Sequence, residues 1–131
     1  MVRDSVRKWW DSGPMRPAGF SIDGSYNMVV LLLAAGDTVD AMRRLGIALG
    51  ALSGFGADFI GTDVEGVIPQ MATLPRAMAL RADLAARDGD TETARRWARA
   101  TATLWANADP PLQPTVQRMR ALAGMSSTPA R

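Results

Sequence analysis

Asp58, Asp63 and Glu65 fall in one short stretch and offer enough carboxylate oxygens to raise Ca²⁺ or Mg²⁺ binding, and with it metal-assisted hydrolysis. Their spacing does not reproduce the alternating acidic ladder and central glycine of a calcium loop, so a polar connecting loop is the expected reading. The chain has 0 histidines and 0 cysteines. That removes imidazole acid-base chemistry, thiolate nucleophiles, disulfides and the usual zinc and iron-sulfur ligands. No catalytic, cofactor-binding or metal-binding residue is assigned, and a non-enzymatic role is expected.

Arginine dominates the remaining polar chemistry. Of 15 basic residues only Lys8 is a lysine, and against 13 acidic residues they leave a net charge of +2. Residues 23–66 carry six acidic and two basic side chains, whereas residues 67–131 carry nine basic and five acidic ones. Such an asymmetry suits two copies aligned head to tail or an acidic partner, while the interspersed opposite signs argue against a nucleic-acid footprint. The longest apolar run, Met28 to Ala35, has eight residues, well short of the ~20 a spanning helix needs. No apolar core follows the charged N-terminus, so a cytoplasmic location is expected by default.

These side chains must be positioned by helices. The chain of 131 residues holds 22 alanines and gathers its glycines and prolines at a few breaks, which predicts an all-α fold. The breaks place helices at about 25–35, 38–53, 67–87 and 91–107, with an interruption before Pro75 and a glycine-rich loop after residue 53. Asp37 and Asp90 are expected N-caps. In the fourth helix Ala94, Trp97, Ala98, Thr101, Leu104, Trp105 and Ala108 share one face, and Arg95, Arg96, Arg99 and Thr103 the other. Leu112, Val116, Met119, Leu122 and Ala123 form the stripe of a fifth, where Pro114 demands either a cap at Gln113 or an irregular first turn. Residues 125–131 are expected to be disordered. Trp9 and Trp10, next to Arg7 and Lys8, are expected to cover an open end of the helical stack.

GDTVDAMRRL from Gly36 and GDTETARRWA from Gly89 align without a gap, 53 residues apart, sharing Gly-Asp-Thr, then Ala41 with Ala94 and Arg43 with Arg96. Each follows an apolar helix and opens an amphipathic one. The pattern resembles the tetratricopeptide repeat, in which an alanine five residues beyond the turn glycine sits where two helices cross. Leu45, Ala48 and Leu49 match further positions of the family in the first copy, and Ala82 matches a small-residue position in the second. The offset exceeds the family's ~34-residue period, and the excess falls to the glycine-rich loop and a lengthened third helix. The stretch from Arg95 to Ala123 is similar to the closing hairpin and cap at the tail of large bacterial signalling proteins such as serine/threonine kinases.

The resemblance implies two antiparallel helical hairpins, residues 25–53 and 67–107, with a capping helix at 111–124. Together they make one α-α superhelical domain over 25–124, preceded by an N-terminal helix or strap at 1–24. It also implies a protein or peptide partner bound in a shallow groove lined by the first helix of each hairpin. Carried over by position, that lining is Asp23, Tyr26, Val30 and Leu33, then Arg76, Ala79, Asp83, Ala86 and Arg87. Arg81 is singled out by its surroundings instead: Ala77, Met78, Leu84 and Ala85 put it within an apolar arc, where its head must reach water or a carboxylate, or meet a partner's acidic group. Scaffolding of a partner segment is the leading expectation. The alternatives are a self-associating structural subunit, a regulatory tail detached from a larger signalling protein, and last a metal-dependent hydrolase.

Overall fold

The computed structural model of the chain describes residues 4, 5, 8, 22–54 and 64–125. Among these there are helices and turns and no strand. The elements are α1 (Ile22–Ala34), α2 (Thr38–Gly54), α3 (Val64–Arg87), α4 (Thr91–Leu104), a 3-10 turn (Pro110–Leu112) and α5 (Gln113–Leu122). The chain divides into two compact units, Met1–Thr73 and Leu74–Arg131. Trp9, Trp10, Asp58, Asp63 and the tail beyond Met125 lie outside the described residues.

In the first unit α1 packs on α2. Ile22, Met28, Val29 and Leu32 are buried from α1, and Ala41, Leu45, Ala48 and Leu49 from α2, the i, i+4, i+7, i+8 stripe that periodicity requires. Burial of Ile22 carries α1 one turn further toward the N-terminus than the expected start at residue 25. In the second unit α3, α4 and α5 share a core of Ala79, Ala82, Ala98, Ala102, Met119 and Ala123, with Trp97 and Leu122 packed against it. Four alanines at the α3–α4 crossing leave room for close backbone approach, and Met119 is the one long side chain filling the cluster.

The two glycine corners share the same bend and the same closing bonds. Gly36 and Gly89 have φ of +75° and +83°, a region that costs any L-side chain strain. The Gly36 and Asp37 amides donate to Leu33 and Leu32 carbonyls at 3.0 and 2.8 Å, and the Gly89 and Asp90 amides to Ala86 and Ala85 at 3.2 and 2.9 Å. Each aspartate then caps the next helix: Asp37 Oδ1 accepts from the Asp40 amide at 3.3 Å, and Asp90 Oδ1 from the Thr93 amide at 3.1 Å. One glycine therefore ends a helix and the next residue starts another, which folds the pair back with no spare loop. Ala41 and Ala94, four residues past the caps, are 0% and 1% exposed.

Further boundaries differ from expectation. Helix α3 begins at Val64 rather than 67 and runs through Pro75 without interruption. Pro75 is buried among the apolar positions of α3, and that burial offsets the amide it cannot donate. Helix α4 ends at Leu104, short of Asn107. Thr101 and Thr103 hydroxyls donate back to the Trp97 and Arg99 carbonyls at 2.9 Å each, and Leu104 is 60% exposed, so nothing apolar pulls a further turn into place. Pro110 also holds Asp109 extended, at φ −55° and ψ 153°. Of the two expected starts for α5, the irregular one occurs: a 3-10 turn precedes Gln113, whose side-chain amide donates to the Ala108 carbonyl.

Candidate interaction surface

On α1 the positions carried over from the repeat resemblance sit at the surface to different depths. Tyr26 and Leu33 are half-buried and Val30 is 43% exposed, with Leu31 beside it at 53%. This helix is apolar on both sides, because Met28, Val29 and Leu32 point into the core. Apolar side chains on an outward face are the usual mark of contact with something else.

On α3 the corresponding stripe is split. Arg76, Ala86 and Arg87 are exposed. Ala79 is 5% exposed and belongs to the core that α5 closes. Asp83 is half-buried and grips Arg118 of α5, whose Nε and Nη2 donate to the two carboxylate oxygens at 3.2 and 3.0 Å. Docking of α5 therefore takes Ala79 and Asp83 out of any open groove. No local signal announces this, since the two partners are 35 residues apart.

Arg81 is half-buried, and its Nη1 is enclosed without a hydrogen-bond partner. Its charge acts on Asp90. The Thr93 hydroxyl and amide, first of all, hold the Asp90 carboxyl below its ordinary value, and Arg81 and Arg96 add to that. The snorkelling reading of Arg81 thus has a carboxylate within electrostatic reach.

A second charged cluster is buried, at positions that polarity alone assigns to the surface. Asp40 and Arg44 are 5% and 7% exposed, and Arg44 Nε donates to Asp40 Oδ2 at 2.8 Å. Arg43 Nε donates to the other oxygen at 3.0 Å. Burial pushes the Asp40 carboxyl up, but the hydrogen bonds and charges of Arg44 and Arg43 outweigh it and leave the group below its ordinary value. The signal was present: Asp40 and Arg44 are four apart and interleave with Ala41, Leu45 and Ala48 on the apolar arc of α2.

Among the described residues no group of three or more acidic side chains is placed to hold a metal ion. Glu65 lies in the first turn of α3, and Asp58 and Asp63 lie outside the described residues. No described helix is long and apolar enough to cross a membrane. Comparisons with protein-family models, curated proteins and solved structures give no match to the chain.

Proposed function

We propose that the chain is a non-enzymatic interaction module of tetratricopeptide type, which holds a segment of a protein partner against its first-helix faces. The observation that carries this reading is the pair of identical Gly-Asp corners, each closing a helical pair over an alanine. A helix pair closed in this way is stiff before it binds, so little ordering cost offsets the burial of partner side chains. Within the first unit Tyr26, Val30 and Leu33 supply apolar contact; within the second Arg76 and Arg87 supply polar anchors of their own, and α5 caps the helix pair.

A displayed library of random peptides, selected on the full chain, tests this. The expected result is an enriched motif whose binding weakens at least about tenfold in Val30→Glu, a charge placed where apolar contact is made. A library with no enriched motif, or one whose motif binds Val30→Glu as well as wild type, overturns the reading.

A further inference from the structure

The outer face of α1 is spaced for a second helix. Asp23, Tyr26, Val30 and Leu33 follow one another at three, four and three residues, the seam of a coiled coil, and fall within about a quarter of the helix circumference. They are turned away from the buried Met28 and Leu32. Val30 is 43% exposed, and Asp23, Tyr26 and Leu33 are half-buried. Apolar side chains set at seam spacing on an outward face are complementary to another helix.

The kind of occupant follows from what this seam offers and lacks. A helix has no free main-chain edge, so an extended segment laid along it would lose water from amides and carbonyls with nothing in exchange. A helical segment satisfies its own backbone and places side chains in the gaps between Tyr26, Val30 and Leu33. Charge narrows the choice. Asp23 is the one charged residue of α1, and its carboxylate makes no hydrogen bond or ion pair with a described residue. Arg43 and Arg44, the two basic residues between 22 and 54, are both taken by Asp40. A carboxylate at the end of an apolar contact loses hydration on docking and calls for a cation opposite it. A second copy of α1 has none to give, and a phosphate backbone or an anionic lipid surface would be repelled. An acid anywhere in the first turn suits the helix dipole, but residue 23 alone continues the seam.

We propose that α1 pairs with an amphipathic helix of a protein partner, antiparallel, whose apolar stripe repeats at three and four residues and whose last turn sets a lysine or arginine against Asp23. Antiparallel packing brings that cationic turn, favourable to the partner's own dipole, beside the N-terminus of α1. Asp23 then fixes register and direction, as a single polar residue does in a coiled-coil seam, while Tyr26, Val30 and Leu33 supply the contact. The inference deepens the interaction-module reading and rests on it.

The test is fluorescence anisotropy of the full chain with two labelled helical peptides that differ at one position. Each carries three leucines, spaced three and then four residues apart, and three residues beyond the last has lysine in one peptide and glutamate in the other. That order pairs antiparallel with Leu33, Val30, Tyr26 and Asp23. Saturable binding is expected, with the lysine peptide at least about tenfold tighter, and Asp23→Lys should reverse the preference. Asp23→Asn, which removes the charge and keeps the shape, should bring the two peptides within about threefold of each other. No saturable binding of either peptide, a wild type that does not distinguish them, or a lysine preference that survives in Asp23→Asn overturns the proposal. If the peptide library yields a Val30-dependent motif while these probes fail, the module reading stands and the basic helix alone is lost.

Discussion

Asp40→Ala is expected to destabilise the chain by about 3–5 kcal/mol, the range for removing one member of a buried ion pair. The variant strips Arg44, 7% exposed, of the carboxylate oxygen at 2.8 Å and leaves its guanidinium desolvated within the α2 face. The Asp40–Arg43 contact adds little to this total, because the Arg43 side chain is 60% exposed and solvent screens it. Urea unfolding followed by circular dichroism measures the loss. The double replacement Asp40→Leu/Arg44→Met should cost far less than the single one, since an apolar pair of similar volume often replaces a buried ion pair without penalty. Acid should erase the difference in a defined direction. The folded carboxyl titrates below its ordinary value of 3.8, so its contribution is complete above that value and disappears as pH falls through the lower folded one. Wild type and Asp40→Ala should therefore differ by a constant amount near neutrality and converge below pH 3.8. A loss under 1 kcal/mol at pH 7 would remove the pair from the account of this unit's stability.

Met119→Ala carries the second large effect. Met119 is 0% exposed and its cluster neighbours Ala79, Ala82, Ala98, Ala102 and Ala123 are all alanines. Alanines have no rotamers with which to close a void, so the cost should lie in the upper part of the ~2–5 kcal/mol range for methionine truncation. The Asp83–Arg118 bridge cannot compensate, because with Arg118 54% exposed it is worth at most about 1 kcal/mol. Undocking of α5 should be visible as a changed tryptophan emission, Trp97 being packed on the same cluster. Leu104→Ala, at a position 60% exposed, should stay within about 0.5 kcal/mol of wild type. Similar costs for the two variants would mean that Met119 does not hold α5 in place.

What could be read from the sequence was local. Gly36-Asp37 and Gly89-Asp90 specify their corners with two residues each, because a positive φ asks for glycine and a first-turn amide asks for a short acceptor. The periodicity of α4 names Ala94, Ala98 and Thr101 correctly as buried. It misplaces Leu104 and passes over Ala102, which an adjacent helix covers. Polarity alone sends Asp40 and Arg44 to the surface, and only their interleaving with Ala41, Leu45 and Ala48 says otherwise. Sequence position alone assigns Ala79 and Asp83 to an open groove, because nothing near them in the chain records the arrival of α5. Surface position is decided by the neighbouring helix, and the corner by its own two residues.

The equivalence of the two corners is the claim on which the interaction-module reading stands, and the stabilities of Gly36→Ala, Gly89→Ala and Gly46→Ala test it most directly. A β-carbon would meet nothing within 4 Å at any of the three positions, so packing is removed from the comparison and backbone conformation alone decides. Gly36→Ala and Gly89→Ala should each lose about 1–2 kcal/mol to the left-handed φ, while Gly46→Ala, inside α2, should gain about 0.5–1 kcal/mol. A neutral or stabilising alanine at either corner would mean that the helices on its two sides run on as one, and the paired scaffold would not exist.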